Sequence, residues 1–468
     1  MLTIHDGNSG INRREFLTIG GLGAAAGALS LSSLLSARAK ASATGSAVTG
    51  KSVIFLFQQG GPSQFETLDP KVDAPAGIRT VTDVVQTSVP GVVFGETMSQ
   101  LALLADKLTV VRSFQTNNGG HNIRPIVGPE SLNANIGTHF SRVVGSTRRS
   151  TGMPTNAVLF PSSVSSDVPG PQARGNLAST GDWGAAYAPF IPGSGGQLQQ
   201  NMQLALPREK FDDRRQLLSQ LDRLNRQIDA SGQFAAVDEI QNQAYQLLLS
   251  GGVADALDLT HEDPQTLARY DTSRYVQADG WSKVSRGKRG YYSAQASTIG
   301  KLLLLARRLC EAGCGFVTIH AGYAGVWDMH ADGNNLNIID GMQAVGRSFD
   351  HAVAAFVEDL ESRGLQDKIM LVATGEMGRT PRINNRGGRD HWSRLAPLLL
   401  YGGGVPGGHV IGQSTRDGGQ PATDNLTPKH LISSIMHTVF DVGELRLLPG
   451  VPSQLLKLSE EAPIPGLR

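Results

Sequence analysis

Short runs of apolar, β-branched residues recur along the chain, and each breaks off into glycine, proline or charge. Ser52 to Phe57 reads SVIFLF and stops at QQGGPSQFE. Leu108 to Arg112, Asn156 to Phe160, Gly315 to His320, Lys368 to Ala373 and Leu395 to Tyr401 have the same form. Unalternated runs of this length are what strands buried on both faces look like. Stretches with helical spacing lie between several of them. Ser297 to Gly313 ends in glycine before GFVTIH, and Gly346 to Gly364 precedes KIMLVA. Strands alternating with helices predict an α/β fold, a mostly parallel sheet flanked by helices. Ligands of such sheets bind beyond the carboxyl ends of the strands. The polar loops after Phe57, Arg112, His320 and Ala373 are then expected along one edge.

The middle of the chain has another rhythm. From Pro207 to Asp229, Leu217, Leu218, Leu221 and Leu224 fall on one helical face among charges, and a second helix is expected over Ala235 to Leu249. This predicts a helical insertion over about residues 207–290, covering the sheet or acting as a lid. Ser162 to Gly196, rich in Gly, Pro and Ser, reads as a long loop. At the N-terminus, Arg13-Arg14 precede Phe16-Leu17 and a mildly apolar Gly/Ala stretch, with small-residue cleavage sites at Ala37-Arg38-Ala39 and Ala39-Lys40-Ala41. That pattern reads as a twin-arginine export signal over residues 1–41. The expected organisation is therefore a signal, then one α/β domain over residues 42–468 that contains the insertion. The translocase is a partner during export, and the destination is the periplasm or cell envelope.

Composition narrows the function. A net charge of +1 on 468 residues offers no basic field for nucleic acid. Cys310 and Cys314 are the only cysteines, too few for a disulfide framework or a zinc cluster. Candidate chemistry concentrates after the later strands. In GVWDMH, Asp328 and His330 are two residues apart, so an extended backbone puts both on one face. A carboxylate and an imidazole on one face make a half-site for a divalent metal. Glu376 and the Asp390-His391 pair, in GEMGRTPRINNRGGRDHW, are placed to complete it. The plainer role of each residue alone is a turn former or a hydrogen-bonded structural histidine.

The segments GGPSQFETLDPK, VVRSFQTNNGGH, LLLLARRLCEAGCGFVTIH, WDMH, GEMGRTPRIN, GRDHW and LYGGGVPGGHVIG occur in the order seen in a bacterial export family catalogued as domain of unknown function 1501. The resemblance spans nearly the whole chain after the signal. That family in turn resembles the alkaline phosphatase and sulfatase superfamily, which hydrolyses phosphate or sulfate esters with one or two metals.

The resemblance implies an alkaline phosphatase/sulfatase-like fold and a residue-by-residue site. Asp328 and His330 look like the Asp/His pair of the first metal and His391 like its late histidine, with Glu376, Asp390 and Glu66 as further ligands. Ser113 lies where the nucleophile would be, Thr116 is a second candidate, and His121 is a polar partner. Arg112, Arg379 and Arg389 are candidates for binding the anionic group, with surface ion pairing as their commoner role. The implied cofactor is zinc, calcium or magnesium, and the implied substrate a small-molecule or polysaccharide anionic ester attacked in line. The chain departs from the pattern at Gln64, Glu66, Gln59 and Met377, which bears on a second metal. Neither cysteine has the formylglycine setting, so that chemistry is not expected. Two classes of function follow: a metal-dependent ester hydrolase, or an exported binding or scaffold protein of the same fold with degenerate catalysis.

Overall fold

The computed structural model describes residues 4–6, 9–11, 47–148, 150–193, 252–276, 280–321, 323 and 325–467. Apart from two paired three-residue strands, Ile4–Asp6 and Ser9–Ile11, the expected signal lies outside the described residues. So do the two helices expected within Pro207 to Leu249.

The apolar runs form one seven-stranded sheet. Its strands are β1 (Ser52–Phe57), β2 (Leu108–Val111), β3 (Asn156–Leu159), β4 (Phe316–His320), β5 (Ile369–Thr374), β6 (Leu398–Gly402) and β7 (His409–Ile411). They lie in the order β7-β2-β6-β5-β1-β4-β3. β1 pairs in parallel with both β4 and β5, and β3 in parallel with β4. β6 runs antiparallel to both its neighbours, β5 and β2. The sheet is therefore mostly parallel, as the alternating pattern predicts. β1 to β5 point the same way, so the loops after β1, β2, β4 and β5 open on one edge. β6 enters from that edge, which brings the residues just before Leu398 there too.

β6 begins three residues later than Leu395. The intervening Pro397 has no N–H to give a ladder, and its carbonyl instead accepts the Thr374 hydroxyl at 2.8 Å.

The runs lack alternation because both faces are covered. Ile54 and Leu56 of β1 pack into a cluster with helices α2 (Arg286–Glu311) and α3 (Arg347–Arg363). Val53, Phe55 and Phe57 pack on the other side with helix α4 (Pro428–Val439) and with Phe140 of helix α1 (Ile136–Val144). α3 stops at Gly364, whose φ of +64° fits the left-handed cap that ends many helices before a strand. α2 starts 11 residues before the predicted Ser297, so it absorbs the end of the expected insertion. The described remainder of that insertion holds short helices at Gly252–Leu257 and Pro264–Arg269. They are tied to α2 and α3 by Glu262, which pairs with Arg307, Arg308 and Arg363. Ser162 to 193 is largely irregular, with short 3-10 turns such as Gly181–Trp183.

Candidate metal centre

Four side chains from three loops on the shared edge converge there: His121 after β2, Asp328 and His330 after β4, and His391 before β6. One ligand atom from each lies within 4.8 Å of the others. The cluster forms because strands far apart in sequence lie side by side. A short antiparallel pairing of Gly378–Arg379 with His391–Trp392 folds the loop after β5 back on itself and delivers His391. Gly60, with φ of +125°, lies against the backbone of Trp327 and Asp328, where a Cβ would come within 2.8 Å of two amide nitrogens. That close approach fixes the loop after β1 against the cluster.

The hydrogen bonds orient all three imidazoles alike. His121 Nδ1 donates to Glu376 Oε1 at 2.8 Å, His330 Nδ1 to Asp390 Oδ1 at 3.1 Å, and His391 Nδ1 to the Gly119 carbonyl at 2.9 Å. Each Nε2 then faces inward to Asp328, at 2.9, 2.7 and 3.3 Å respectively. Outer hydrogen bonds of this kind fix the tautomer of metal-binding histidines and leave the other nitrogen's lone pair free.

The charges also suit a cation. Asp328 and Glu376 are both buried, against the single buried guanidinium of Arg379, whose Nη2 donates to Asp328 Oδ1 at 2.7 Å. Burial alone would raise the Asp328 pKa. Where protons rather than a metal sit on Nε2 of His121, His330 and His391, hydrogen bonds from these rings, then the Arg379 charge, outweigh burial and hold it far below the usual carboxylate range. Burial pulls the His121 pKa down, but Asp328 and Glu376 reverse this and raise it. The same two carboxylates that favour positive charge on His121 would favour a metal ion beside it. Three nitrogens and one carboxylate fit a divalent ion of zinc type.

The other expected site residues fall elsewhere. Glu376 is fully buried, and both its oxygens accept the Gly60 N–H, at 2.8 and 3.1 Å. It therefore holds His121 from outside the cluster rather than standing in it. Asp390 likewise supports His330. Glu66 is paired with Arg389 at 2.9 Å, both fully buried, well apart from the expected ligand role. Arg389 spends its remaining donors on the carbonyls of Ile78, Arg79, Thr380 and Pro381 and lies over the Phe65 ring, so it clamps loops and offers nothing to an anion. Arg112 donates to the Leu68 and Val93 carbonyls beside Asp69. Arg379 reaches the cluster, but its donors go to Asp328 and to the carbonyls of Gly60, Gly61, Trp327 and Arg389. Ser113 and Thr116 are fully buried, with hydroxyls that find no hydrogen-bond partner. Ser113 packs against Gly412 instead of facing open space. Gln59, at the end of β1, accepts from the Arg174 N–H at 3.0 Å and bonds His320 Nε2 at 2.9 Å. Gln64 is bonded to the Arg379 backbone at both its N–H and carbonyl, each at 2.9 Å, and Met377 is fully buried. A second metal would meet neutral groups here.

Sequence spacing gave no hint that Asn335 and Lys288 stand near the centre. Asn335 Nδ2 lies 3.5 Å from Asp328 Oδ2, and its Oδ1 accepts from Lys288 Nζ at 3.0 Å. Lys288 sits in a basic helix start, SRGKRGYY, which reads like any solvated face.

A family model described as "Protein of unknown function (DUF1501)" matches residues 50–446. The chain belongs to this family. None of the curated proteins matches the DUF1501 chain. Among solved structures, it is similar to the PsFucS1 sulfatase from Pseudoalteromonas sp., with 11% identity and a TM-score of 0.27 over 81% of this chain and 69% of that one. It is similar to the phosphonate monoester hydrolase SpPMH from Silicibacter pomeroyi at 11% identity and a TM-score of 0.31, covering 88% and 76%. The alkaline phosphatase from the Antarctic bacterium TAB5 matches at 13% identity and a TM-score of 0.28, covering 86% and 98%. Likeness this distant says nothing of chemistry, which rests on the site itself.

Proposed function

We propose that this DUF1501 protein is an exported hydrolase of sulfate or phosphate esters, working at a single zinc-type centre held by His121, Asp328, His330 and His391. The observation that carries it is the common orientation of the three imidazoles, Nδ1 anchored outward and Nε2 turned in on Asp328. Nitrogen-rich donor sets favour zinc over calcium or magnesium. A divalent ion bound there would polarise the ester and make water a better nucleophile.

The chain's own residues do the rest. Arg379 keeps Asp328 ionised and holds its Oδ1, the oxygen that also faces His330 and His391 Nε2. Glu376, Asp390 and the Gly119 carbonyl hold the histidine rings still. Ser113 and Thr116 are too buried to attack, so the attacking oxygen is assigned to water. Its bond to sulfur or phosphorus forms as the ester oxygen leaves, and the water's proton ends on the leaving group. The cluster is reachable, since the His391 side chain is 27% exposed and that of His330 18%.

The test is elemental analysis with an aryl sulfate and aryl phosphate panel. The expected result is about one zinc per chain and hydrolysis of at least one ester, with both sharply reduced in His391→Ala. Equal metal content in that variant would make His391 structural. A metal-loaded wild type that hydrolyses no ester would leave the binding or scaffold reading in its place. Export rests on Arg13 and Arg14, which precede the mild apolar stretch. Changing both to Lys should strand precursor in the cytoplasm, and unchanged export would refute the twin-arginine route. Among the described residues, no helix is long and apolar enough to cross a membrane.

A further inference from the structure

The loop that delivers Arg379 and His391 also carries arginines that it leaves in the open. Arg382, Arg386 and Arg394 are exposed, and none enters an ion pair among the described residues. The Arg386 N–H donates to Asn384 Oδ1, and Asn384 Nδ2 in turn reaches the His330 carbonyl at 3.1 Å. Arg394 follows His391 by three residues and donates to Gln420 Oε1 at 3.2 Å. On the other side of the cluster, Arg174 is exposed, and its backbone is fixed to Gln59 at the end of β1. Lys288 lies between, linked through Asn335 to Asp328. Burial depresses the Lys288 pKa, the Asp328 carboxylate opposes this, and the Arg174 charge adds to the depression. Positive charge is therefore crowded on that flank as well.

The opposite charge on this rim is already engaged: Asp417, beside Pro381, accepts from the Thr415 hydroxyl and the Gly419 N–H. Asp390 is shared with His330, and Asp332 holds the Asn335 backbone at 2.7 Å. Since the whole chain carries only +1, the positive rim is a local feature and not a consequence of composition. It is also wide. Arg174 is anchored at β1 and Arg394 just before β6, and β5 separates these strands. Two strand spacings are about 10 Å, more than a single sulfate or phosphate group spans.

We propose that this rim binds an extended polysaccharide bearing repeated sulfate or phosphate groups, one of which faces the metal cluster. The proposal rests on the hydrolase reading for the ester that the cluster meets. Guanidinium groups pair bidentately with such anions, and a row of them tracks a polymer better than a small monoester. Nucleic acid fits less well. Binding single strands calls for several stacking aromatics, whereas the loop offers Trp392, anchored through Nε1 to the Gly419 carbonyl at 2.5 Å.

The experiment is calorimetric titration of the zinc-loaded protein with heparin, neutral dextran and a single-stranded RNA, at low and at physiological salt. Heparin should bind, more weakly as salt rises, and dextran should not. The R382A/R386A/R394A variant should bind heparin roughly tenfold more weakly, with a shallower salt dependence. Its zinc content and unfolding temperature report whether it is folded; if it is not, the single variants R382A and R386A give the salt slope. Undiminished heparin binding by the folded variants overturns the proposal, and so does RNA binding as tight as heparin. Binding is read without turnover, so the two readings fail separately. Heparin binding without hydrolysis of any ester removes the hydrolase and keeps the rim. Hydrolysis of aryl esters without heparin binding does the reverse.

Discussion

Glu376 is a carboxylate whose two oxygens are both spoken for, by the Gly60 N–H and by His121 Nδ1. Its work is to hold His121 as an Nδ1–H donor and so keep Nε2 available. Glu376→Gln keeps the shape but removes the charge. Zinc affinity should fall by roughly 10–100-fold, as it does when such outer partners are changed. Competition with a chromophoric chelator measures this, and unaltered affinity would mean that His121 needs no such support. The residue type was legible in the sequence, but the role was not, because a ligand and a ligand's anchor have the same chemistry. The same holds for the arginines. Arg379 and Arg389 look like anion receptors in the sequence, yet both are fully buried and bonded to carboxylates and carbonyls.

Between elements, the tightest seam runs where α2 passes the segment after Pro264–Arg269. Gly300 of α2 has no side chain, and a Cβ there would collide with the Tyr270 carbonyl oxygen. The Tyr270 hydroxyl donates to Asp359 of α3 at 2.9 Å, so the segment cannot simply move aside. Gly300→Ala would gain helix propensity of up to about 1 kcal/mol. The collision should outweigh that and give a net loss of about 1–3 kcal/mol, read from denaturant unfolding. A variant as stable as the wild type would show that the segment yields. In the sequence, Gly300 sits inside an apolar helical run with nothing to mark it as a contact.

Over the whole molecule, two buried groups give stability opposite pH dependences. His139 is fully buried, donates from Nε2 to the Ser131 carbonyl, accepts at Nδ1 from Trp183 Nε1, and has its pKa lowered by burial to about 4. The unfolded chain takes up this proton first, so its contribution is complete above the ordinary value of 6.5 and is lost as pH falls towards 4. Asp350 of α3 is raised by burial to about 7, against backbone N–H bonds from Leu101 and Gln100. Its folded form keeps the proton longer, so its contribution is complete below 3.8 and is lost as pH rises through 7. The Asp350→Asn variant removes the second effect alone. From pH 4 to 7 its stability should rise relative to wild type, by up to the order of 4 kcal/mol. A difference that stays flat across this range, in urea unfolding at each pH, would show Asp350 to be ionised when folded.

The sequence by itself determined the layers. Runs such as SVIFLF and KIMLVA can be buried only on both faces, and helices between them force a mostly parallel sheet with its polar loops on one edge. It also marked Asp328, His330 and His391, because extended spacing and loop position are local properties. Tertiary structure alone decided which groups meet. His121 joined the cluster, Glu66 left it for Arg389, and Ser113 turned away from it to pack against Gly412. These outcomes follow from strand order and from the seating of β6 against β2, which depend on pairings such as Leu398 with Val111 and Val53 with Met370, hundreds of positions apart. Periodicity reports which face of an element is buried, but not which neighbour covers it.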